Sequence, residues 1–245
     1  MRLAILTDIH GNREAFGAVL QDLAARKIDR IVMLGDIVGY GPDPEWCVDK
    51  AQALVAAGAL CVKGNHDSAI GSTELLNANA KQAIDWTRPR LDAGQKQFLA
   101  DLPLTQSEGD LLFVHASAND PGGWIYVTSD NKALPSFRVS KARVIFCGHV
   151  HVPALISCDM GGSVRQQRIP MAMPVPLIRS RRWLAVVGSV GQPRDQVAQA
   201  GYAVFDTETN ELTFRRVAYD TATTARKVRE AGLPESLALR LMRGE

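Results

Sequence analysis

The sequence lacks a charge excess of one sign and lacks long hydrophobic runs. Its 28 Lys and Arg nearly balance its 26 Asp and Glu, and the net charge of +2 gives no strong field for nucleic acid. We therefore expect no nucleic-acid partner. The longest apolar runs, such as Ile31 to Leu34, are far shorter than the ~18 residues that a bilayer requires. We therefore expect no membrane-spanning segment.

Signal-peptide and disulfide patterns are also missing. The chain passes from a short apolar run directly to Asp8, which leaves no room for a signal-peptide core, so we expect a cytoplasmic protein. The four cysteines are widely spaced and form no C-x-x-C pair. Two lie inside apolar runs, which favours buried small side chains over ligands or bridges. With 46% hydrophobic and 22% charged residues, the 245-residue chain is typical of a folded globular protein.

The first 151 residues contain five apolar runs, each followed within two residues by a polar residue or glycine. The runs are 3–6, 31–34, 60–62, 111–114 and 144–146. Continuous apolarity predicts strands that are buried on both faces. Between the first two runs, Phe16, Val19 and Leu23 recur at helical spacing after Asn12, a good helix N-cap. The N-terminal half therefore predicts an α/β arrangement that begins with a β-α-β unit.

After His151 the pattern changes to shorter β-like segments at 154–157, 183–187, 202–206 and 212–217, which predict a second, largely antiparallel sheet. Residues 161–182 combine glycines and prolines with arginines, and we expect an exposed excursion there. These arginines are Arg165, Arg168, Arg179, Arg181 and Arg182. They could hold a polyphosphate or form a solvated face. Residues 220–231 and 234–242 predict two closing helices.

Every histidine of the chain comes just after one of the apolar runs. The five are His10, His66, His115, His149 and His151. Because ligands collect outside the carboxyl ends of strands in an open α/β sheet, we expect these side chains to converge. Asp8 and His10 are two residues apart, as are His149 and His151, and in extended backbone this spacing points both side chains to the same side. Asp36 and Asn65 each follow a glycine at a strand end.

Carboxylate, imidazole and amide oxygen suit manganese, iron, zinc or similar ions, and the set suffices for two of them. We expect one ion to be held by Asp8, His10 and His151, the other by Asn65, His115 and His149, with Asp36 bridging both. Two such ions would lower the pKa of a shared water, and the resulting hydroxide would attack phosphorus. His66 would then be free to act on the leaving oxygen.

The ordered motif set resembles the calcineurin-like metallophosphoesterase superfamily. It consists of Asp8-x-His10, Gly35-Asp36, Gly64-Asn65-His66-Asp67, His115 and Gly148-His149-x-His151. The longer stretches 8–12, 35–42 and 188–195 resemble small bacterial and archaeal cytosolic members.

The resemblance implies a four-layer α/β/β/α sandwich of two mixed β-sheets flanked by helices. Residues 1–245 would form one domain, with the helices from about residue 220 packed on it. The resemblance also implies the ligand partition given above, with His66 as the non-ligand catalytic histidine. Manganese is the expected metal, and iron, zinc, nickel and cobalt are alternatives.

Two departures from the family pattern narrow the function. Serine/threonine phosphatases of this superfamily carry an Asp that supports the catalytic histidine and an Arg that holds phosphate, where this chain has Gly39 and Tyr40. A phosphoprotein phosphatase is therefore disfavoured. The last motif of the family usually begins Asn-Pro-Gly-Ser. This chain has Val186-Val187-Gly188-Ser189 at that place, so the Asn is absent. Asp67 could cap a turn or helix or could orient His66, and we favour the role as a cap.

The sequence thus predicts a metal-dependent phosphodiesterase or phosphatase that acts on a small phosphoester or nucleotide. Symmetrical hydrolysis of diadenosine tetraphosphate is the alternative, and a non-catalytic scaffold on the same fold is the least favoured. A nuclease is disfavoured because the chain offers neither a capping domain nor a basic groove. Asn65 and Arg194 are expected to bind substrate. Loops 68–79 and 116–132 would wall the pocket, where Trp124 and Tyr126 either stack on a base or pack internally. The oligomeric state is left open.

Overall fold

The predicted β-α-β unit opens the fold. In the computed structural model, which describes residues 1–72 and 76–245, strand β1 spans Arg2–Leu6 and helix α1 spans Arg13–Ala24. The Asn12 side chain accepts a hydrogen bond from the Ala15 amide at 3.0 Å and so caps the helix. Strand β2 (Arg30–Met33) then pairs parallel with β1.

The other elements in the described part of the chain follow in order. The helices are α2 (Pro44–Ala56), α3 (Asn65–Ala69), α4 (Ala78–Thr87), α5 (Ala93–Asp101), α6 (Asp130–Val139), α7 (Thr221–Glu230) and α8 (Glu235–Arg243). The strands are β3 (Leu60–Cys61), β4 (Thr105–Glu108), β5 (Leu111–Val114), β6 (Val144–Cys147), β7 (Ala154–Cys158), β8 (Val164–Gln167), β9 (Val175–Pro176), β10 (Arg182–Val186), β11 (Ala200–Asp206) and β12 (Glu211–Val217). The predicted strands and helices lie within a few residues of these bounds.

Two six-stranded mixed sheets form the middle of the molecule. The first sheet has the order β3-β2-β1-β11-β12-β9 and the second has the order β4-β5-β6-β10-β7-β8. Side chains such as Leu3, Ile5, Phe113 and Phe146 from the two sheets share one buried cluster. The outer face of the first sheet packs on α1 and α2 through a second cluster, and that of the second sheet packs on α6 through a third. The expected sandwich of two mixed sheets flanked by helices is confirmed.

The expectation that the C-terminal strands form a sheet of their own is wrong. Strand β11 pairs antiparallel with β1, and β10 pairs parallel with β6, so strands from both halves of the chain share each sheet. These pairings provide hydrogen-bond partners for the backbone groups along the edges of β1 and β6 that would otherwise be unpaired. The excursion at 161–182 contributes β8 to the second sheet, whereas β9 pairs with β12 in the first.

The closing helices lie beside the N-terminal helices. Helix α8 and helix α7 bury Leu237, Leu241 and Val228 in a cluster that also contains Tyr40 and Ala80. This contact places the chain terminus behind the loop that follows β2. None of the described helices is both long enough and apolar enough to span a membrane.

Candidate metal centre

The loops after the strands bring all eight predicted ligand and catalytic residues together. Asp8 and His10 follow β1, Asp36 follows β2, Asn65 and His66 begin α3, His115 follows β5, and His149 and His151 follow β6. All eight are at most 8% exposed. Because both sheets end at this edge, side chains more than a hundred residues apart become neighbours.

The local backbone differs from the extended conformation that the spacing argument assumed. Asp8 and His10 have φ values of 55° and 51°, and His149 and His151 have values of 65° and 64°. The side chains converge as predicted, but the extended backbone assumed for the two pairs is wrong. In this left-handed conformation the loop after β1 is hydrogen-bonded to the loop after β2. The Asp8 amide donates to the Gly35 carbonyl at 3.0 Å, and the His10 amide donates to the Asp36 carbonyl at 2.9 Å. Such strained positions persist only where the surroundings fix them.

One group of donor atoms consists of Asp8, His10 and His151. Asp8 Oδ1 lies 3.1 Å from His151 Nε2 and 3.6 Å from His10 Nε2, and the two Nε2 atoms are 3.0 Å apart. Asp8 Oδ1 is buried and accepts no hydrogen bond of normal geometry from the described residues. These atoms could hold one metal ion.

A second group consists of Asn65, His115 and His149. His115 Nε2 lies 3.2 Å from Asn65 Oδ1 and 3.1 Å from His149 Nδ1. Asp36 stands between the two groups, because its Oδ2 is 3.4 Å from His115 Nε2 and 3.7 Å from His10 Nε2. The other carboxylate oxygen, Oδ1, accepts the His66 amide at 2.8 Å. A single oxygen of Asp36 therefore faces both groups.

Backbone carbonyls determine which ring nitrogens carry protons. The Nδ1 atoms of His10, His115 and His151 lie 3.1, 2.7 and 2.6 Å from the carbonyl oxygens of Val38, Leu34 and Gln192, respectively. Since a carbonyl can only accept, each Nδ1 carries a proton, and the neutral form of each ring has its lone pair at Nε2.

This tautomer assignment provides the test of whether a metal fits. When both rings are neutral, the Nε2 lone pairs of His10 and His151 face each other across 3.0 Å, which is repulsive unless a proton or a metal ion lies between them. Metal–nitrogen bonds of ~2.1 Å at angles of 90° to 120° separate two donor atoms by about 3.0 to 3.6 Å. The donor separations in both groups lie in or close to this range. The residues therefore fit metal ions.

Electrostatics at the site also favour cations. Burial lowers the pKa of His149 to about 3 and that of His151 to about 4, so both rings are neutral ligands at pH 7. Burial would also lower the pKa of His115, but the Asp36 and Asp8 carboxylates outweigh it and raise the pKa to about 9. Burial would raise the pKa of Asp36, yet the surrounding histidines hold it below its ordinary value. The centre thus contains two buried carboxylates in their charged form.

His66 lies beside these groups under the ring of Tyr40. The ring centroids of Tyr40 and His66 are 4.5 Å apart, and burial lowers the pKa of His66 to about 3. Its Nδ1 is buried and has no hydrogen-bond partner in the described part of the chain. A Cβ on Gly39 would lie only 2.2 Å from this nitrogen. The glycine that replaces the phosphatase Asp therefore makes room for the histidine. His66 also lies close enough to His10 and Asp36 to form a third donor group.

Asp67 caps the neighbouring loop, as the favoured interpretation predicted. Its Oδ2 accepts the amides of Asp36 and Gly64 at 2.8 and 3.0 Å, and its Oδ1 accepts the Ile37 amide at 2.9 Å. Asp67 thereby ties the loop that carries Asp36 to the loop that carries His66.

A cavity of about 460 Å³ opens over the centre. Tyr126 is 48% exposed, and its ring stacks on His149 with a centroid separation of 3.9 Å. Trp124 lies edge-on to His115 at 5.9 Å. Arg194 also lines the cavity, where its Nη2 donates to Gln192 Oε1 at 2.8 Å and its buried Nε has no partner among the described residues. Of the predicted loop 68–79, residues 73–75 lie outside the described residues.

Sequence reasoning missed the side chains that orient Asp8. Thr7 Oγ1 and the His149 amide donate to Asp8 Oδ2 at 2.8 and 2.9 Å. Ser189 Oγ donates to the Asp8 carbonyl at 2.9 Å. Gly148 is required here because a Cβ would lie 2.0 Å from Thr7 Oγ1 and 2.5 Å from Asp8 Oδ2. The sequence signal that could have identified these two residues is their position, because Thr7 directly precedes Asp8 and Gly148 directly precedes His149.

Comparisons with known proteins show the family of the chain. A metallophosphoesterase of known structure from Sphaerobacter thermophilus is 38% identical, with a TM-score of 0.88 and full coverage of both chains. An uncharacterised protein of Methanocaldococcus jannaschii is 34% identical over 99% of this chain and 98% of its own length. A hypothetical protein of Pyrococcus horikoshii shares the fold, with a TM-score of 0.79 at 20% identity over 100% of this chain and 98% of its own. Residues 1–210 match the calcineurin-like phosphoesterase superfamily domain. The chain therefore belongs to the calcineurin-like phosphoesterase superfamily.

Proposed function

We propose that the protein is a dinuclear metal-dependent hydrolase of phosphoric esters, and that its substrate is a small phosphodiester, phosphomonoester or nucleotide. The observation that carries the proposal is the position of Asp36 Oδ2, which lies 3.4 Å from His115 Nε2 and 3.7 Å from His10 Nε2. One carboxylate oxygen shared by two donor groups is the arrangement that a two-metal centre needs.

In this proposal Asp8, His10 and His151 would hold one ion, Asn65, His115 and His149 would hold the other, and Asp36 would join them. The donor set of imidazole, carboxylate and amide oxygen suits manganese, with iron, zinc, nickel and cobalt as alternatives. When bound, the two ions supply Lewis acidity and activate water for attack on phosphorus.

The chain's own residues orient the substrate and manage its protons. His66 is neutral before substrate arrives because burial lowers its pKa to about 3. A phosphate anion placed beside the ring raises the pKa of His66, so that the ring takes up a proton from water. His66 then donates this proton to the leaving oxygen. Arg194 binds a phosphoryl oxygen through its free Nε, and the Asn65 amide lies close enough to the centre to add a second contact.

The cavity walls favour a small substrate over a protein. About 460 Å³ is within the ~300–1,000 Å³ that small-ligand sites occupy. The half-exposed ring of Tyr126 offers a flat surface on which a base or another planar group could stack. Replacement of the phosphatase Asp and Arg by Gly39 and Tyr40 removes the groups that phosphoprotein phosphatases use.

A panel of three substrates tests the proposal. Bis-p-nitrophenyl phosphate, p-nitrophenyl phosphate and diadenosine tetraphosphate are incubated with the protein with added Mn²⁺ and after chelation. We expect hydrolysis of at least one substrate that disappears on chelation and returns with Mn²⁺. A preference for diadenosine tetraphosphate would identify the alternative nucleotide hydrolase. Absence of all three activities in a protein that binds two Mn²⁺ would contradict the proposal and favour a scaffold.

A further inference from the structure

A second cavity lies at the far end of the second sheet from the candidate metal centre. Arg143 precedes β6 and Arg182 begins β10, whereas His149 and Gly188 follow the other ends of these strands. At ~3.3 Å per residue, strands of this length separate the two ends by roughly 15 Å. The cavity has a volume of about 480 Å³, which is within the range of small-ligand sites.

Arginine side chains dominate the lining of this cavity, which we call the arginine pocket. They are Arg138, Arg143, Arg179, Arg181 and Arg182. Asp159 is the one acid among the described residues that line the pocket, and its Oδ1 already accepts the amides of Gly161 and Ser163 at 3.0 and 2.9 Å. The pocket therefore concentrates positive charge on a chain whose net charge is only +2.

Two of these arginines are engaged by the fold. The Arg182 guanidinium donates to the carbonyls of Ala142, Phe137 and Ser140 and so holds the end of α6. Arg143 pairs with Asp110 and donates to Asn210, although its Nη1 is buried without a partner in the described part of the chain. Five of the six guanidinium nitrogens of these two side chains thus donate a hydrogen bond within the fold.

The other three arginines have donors to spare. Arg138 and Arg179 are exposed and make no side-chain hydrogen bond or ion pair with residues 1–72 or 76–245. Arg181 uses only Nη1, which donates to Ser157 Oγ at 3.1 Å. Unpaired guanidinium groups that line one concave surface repel each other, and a polyanion would relieve this repulsion.

We propose that the arginine pocket binds a small molecule that carries a chain of two or more phosphate groups. A guanidinium forms two parallel hydrogen bonds with a phosphate, so Arg138, Arg179 and Arg181 together suit several linked phosphates rather than a single one. Leu134 and Met160 add an apolar wall, and Met160 is 92% exposed. Arg165 and Arg168, which the sequence grouped with the others, do not line the pocket. This site is independent of the proposed hydrolase activity.

Calorimetric titration with tripolyphosphate and with ATP, without added divalent metal, tests the site. The variant is R138A/R179A, which removes two guanidinium groups without breaking an internal bond. The matched control is R165A/R168A, which removes the same charge from exposed, unpaired arginines of the neighbouring strand region. We expect the pocket variant to bind tripolyphosphate at least about tenfold more weakly than wild type, and the control to stay within about twofold. Binding at the metal centre would be common to all three proteins.

The two probes also distinguish an inorganic polyphosphate from a nucleotide as the ligand. Equal affinities for tripolyphosphate and ATP would mean that the pocket recognises phosphate alone, and tighter ATP binding would mean that a nucleoside packs on the apolar wall. The proposal fails if both variants weaken binding equally, if neither does, or if wild type binds neither probe at millimolar concentration. It also fails if a single-stranded oligonucleotide binds more tightly than both probes through the same two arginines. Unchanged melting temperatures of the variants establish that each remains folded.

Discussion

Gly39→Ala is expected to disable His66 while leaving the metal ligands in place. The new Cβ would lie 2.2 Å from His66 Nδ1, whereas ordinary contacts begin near 3.4 Å. The ring must therefore withdraw by about 1.2 Å, and misplacement of a catalytic group by ~1 Å costs on the order of 100-fold in rate. We expect the turnover number to fall at least about 100-fold on diphenyl phosphate, whose phenol leaves poorly.

Gly58→Ala is the matched control for this substitution. Gly39 and Gly58 have φ values of 90° and 98°, but a Cβ on Gly58 would meet nothing within 4 Å. Both variants should lose about 1–2 kcal/mol of stability from backbone strain, because an alanine is strained in this conformation. The displaced ring should cost Gly39→Ala a further ~1–3 kcal/mol. At roughly 2–4 °C per kcal/mol, the melting temperature should fall by about 2–8 °C for Gly58→Ala and by about 4–20 °C for Gly39→Ala. Only Gly39→Ala should lose activity.

The assay combines turnover at saturating Mn²⁺, elemental analysis of bound metal and thermal melting. If Gly39→Ala turns over as fast as Gly58→Ala, the position of His66 does not matter for catalysis. If Gly39→Ala loses bound metal, His66 belongs to the ligand set instead. Either result would refute the proposed role of the histidine.

Three further predictions concern the centre itself. The His66→Asn variant should retain its bound metal in elemental analysis. Its turnover should fall ~10²- to 10⁴-fold on substrates with poor leaving groups, and much less on p-nitrophenyl esters, because p-nitrophenolate scarcely needs a proton. Equal slowing on both kinds of substrate would mean that His66 acts on the phosphoryl oxygens. Asp36→Asn should reduce turnover at saturating metal more than Asp8→Asn, because Asp36 faces both donor groups, and equal losses would mean that it serves one ion. Free Mn²⁺ at 100 times its dissociation constant should stabilise the metal-free protein by about 2.7 kcal/mol. Calorimetric melting would detect this as a rise of roughly 5–11 °C in the melting temperature. An unchanged melting temperature would mean that the folded protein does not bind the ion.

The site was more predictable from sequence than the topology. Each site residue follows an apolar run, and the carboxyl ends of buried strands meet at one edge, so the positions of Asp8, His115 and His149 were deducible from the apolar runs alone. The left-handed backbone at Asp8 and His149 was not deducible, because it depends on hydrogen bonds between loops such as that from the Asp8 amide to the Gly35 carbonyl. That all residues from 1 to 245 form one domain stays a prediction.

The pairing of the strands could not be deduced from local patterns. Strand β4 reads Thr105-Gln106-Ser107-Glu108 and has no apolar face, yet it pairs with β5 at the edge of the second sheet. Helix α6 contains Pro135, and proline is disfavoured in the interior of a helix. Allocation of β10 and β11 to different sheets depends on which apolar faces meet in three dimensions, and no local periodicity records that choice.

An anomalous-difference map from crystals of the Mn²⁺-loaded protein tests the central claim most directly. We expect two peaks that share Asp36, one bonded to Asp8, His10 and His151 and the other to Asn65, His115 and His149, with the peaks ~3.5–4 Å apart. A single peak, or two peaks with Asp36 outside bonding distance of either, would contradict the dinuclear centre.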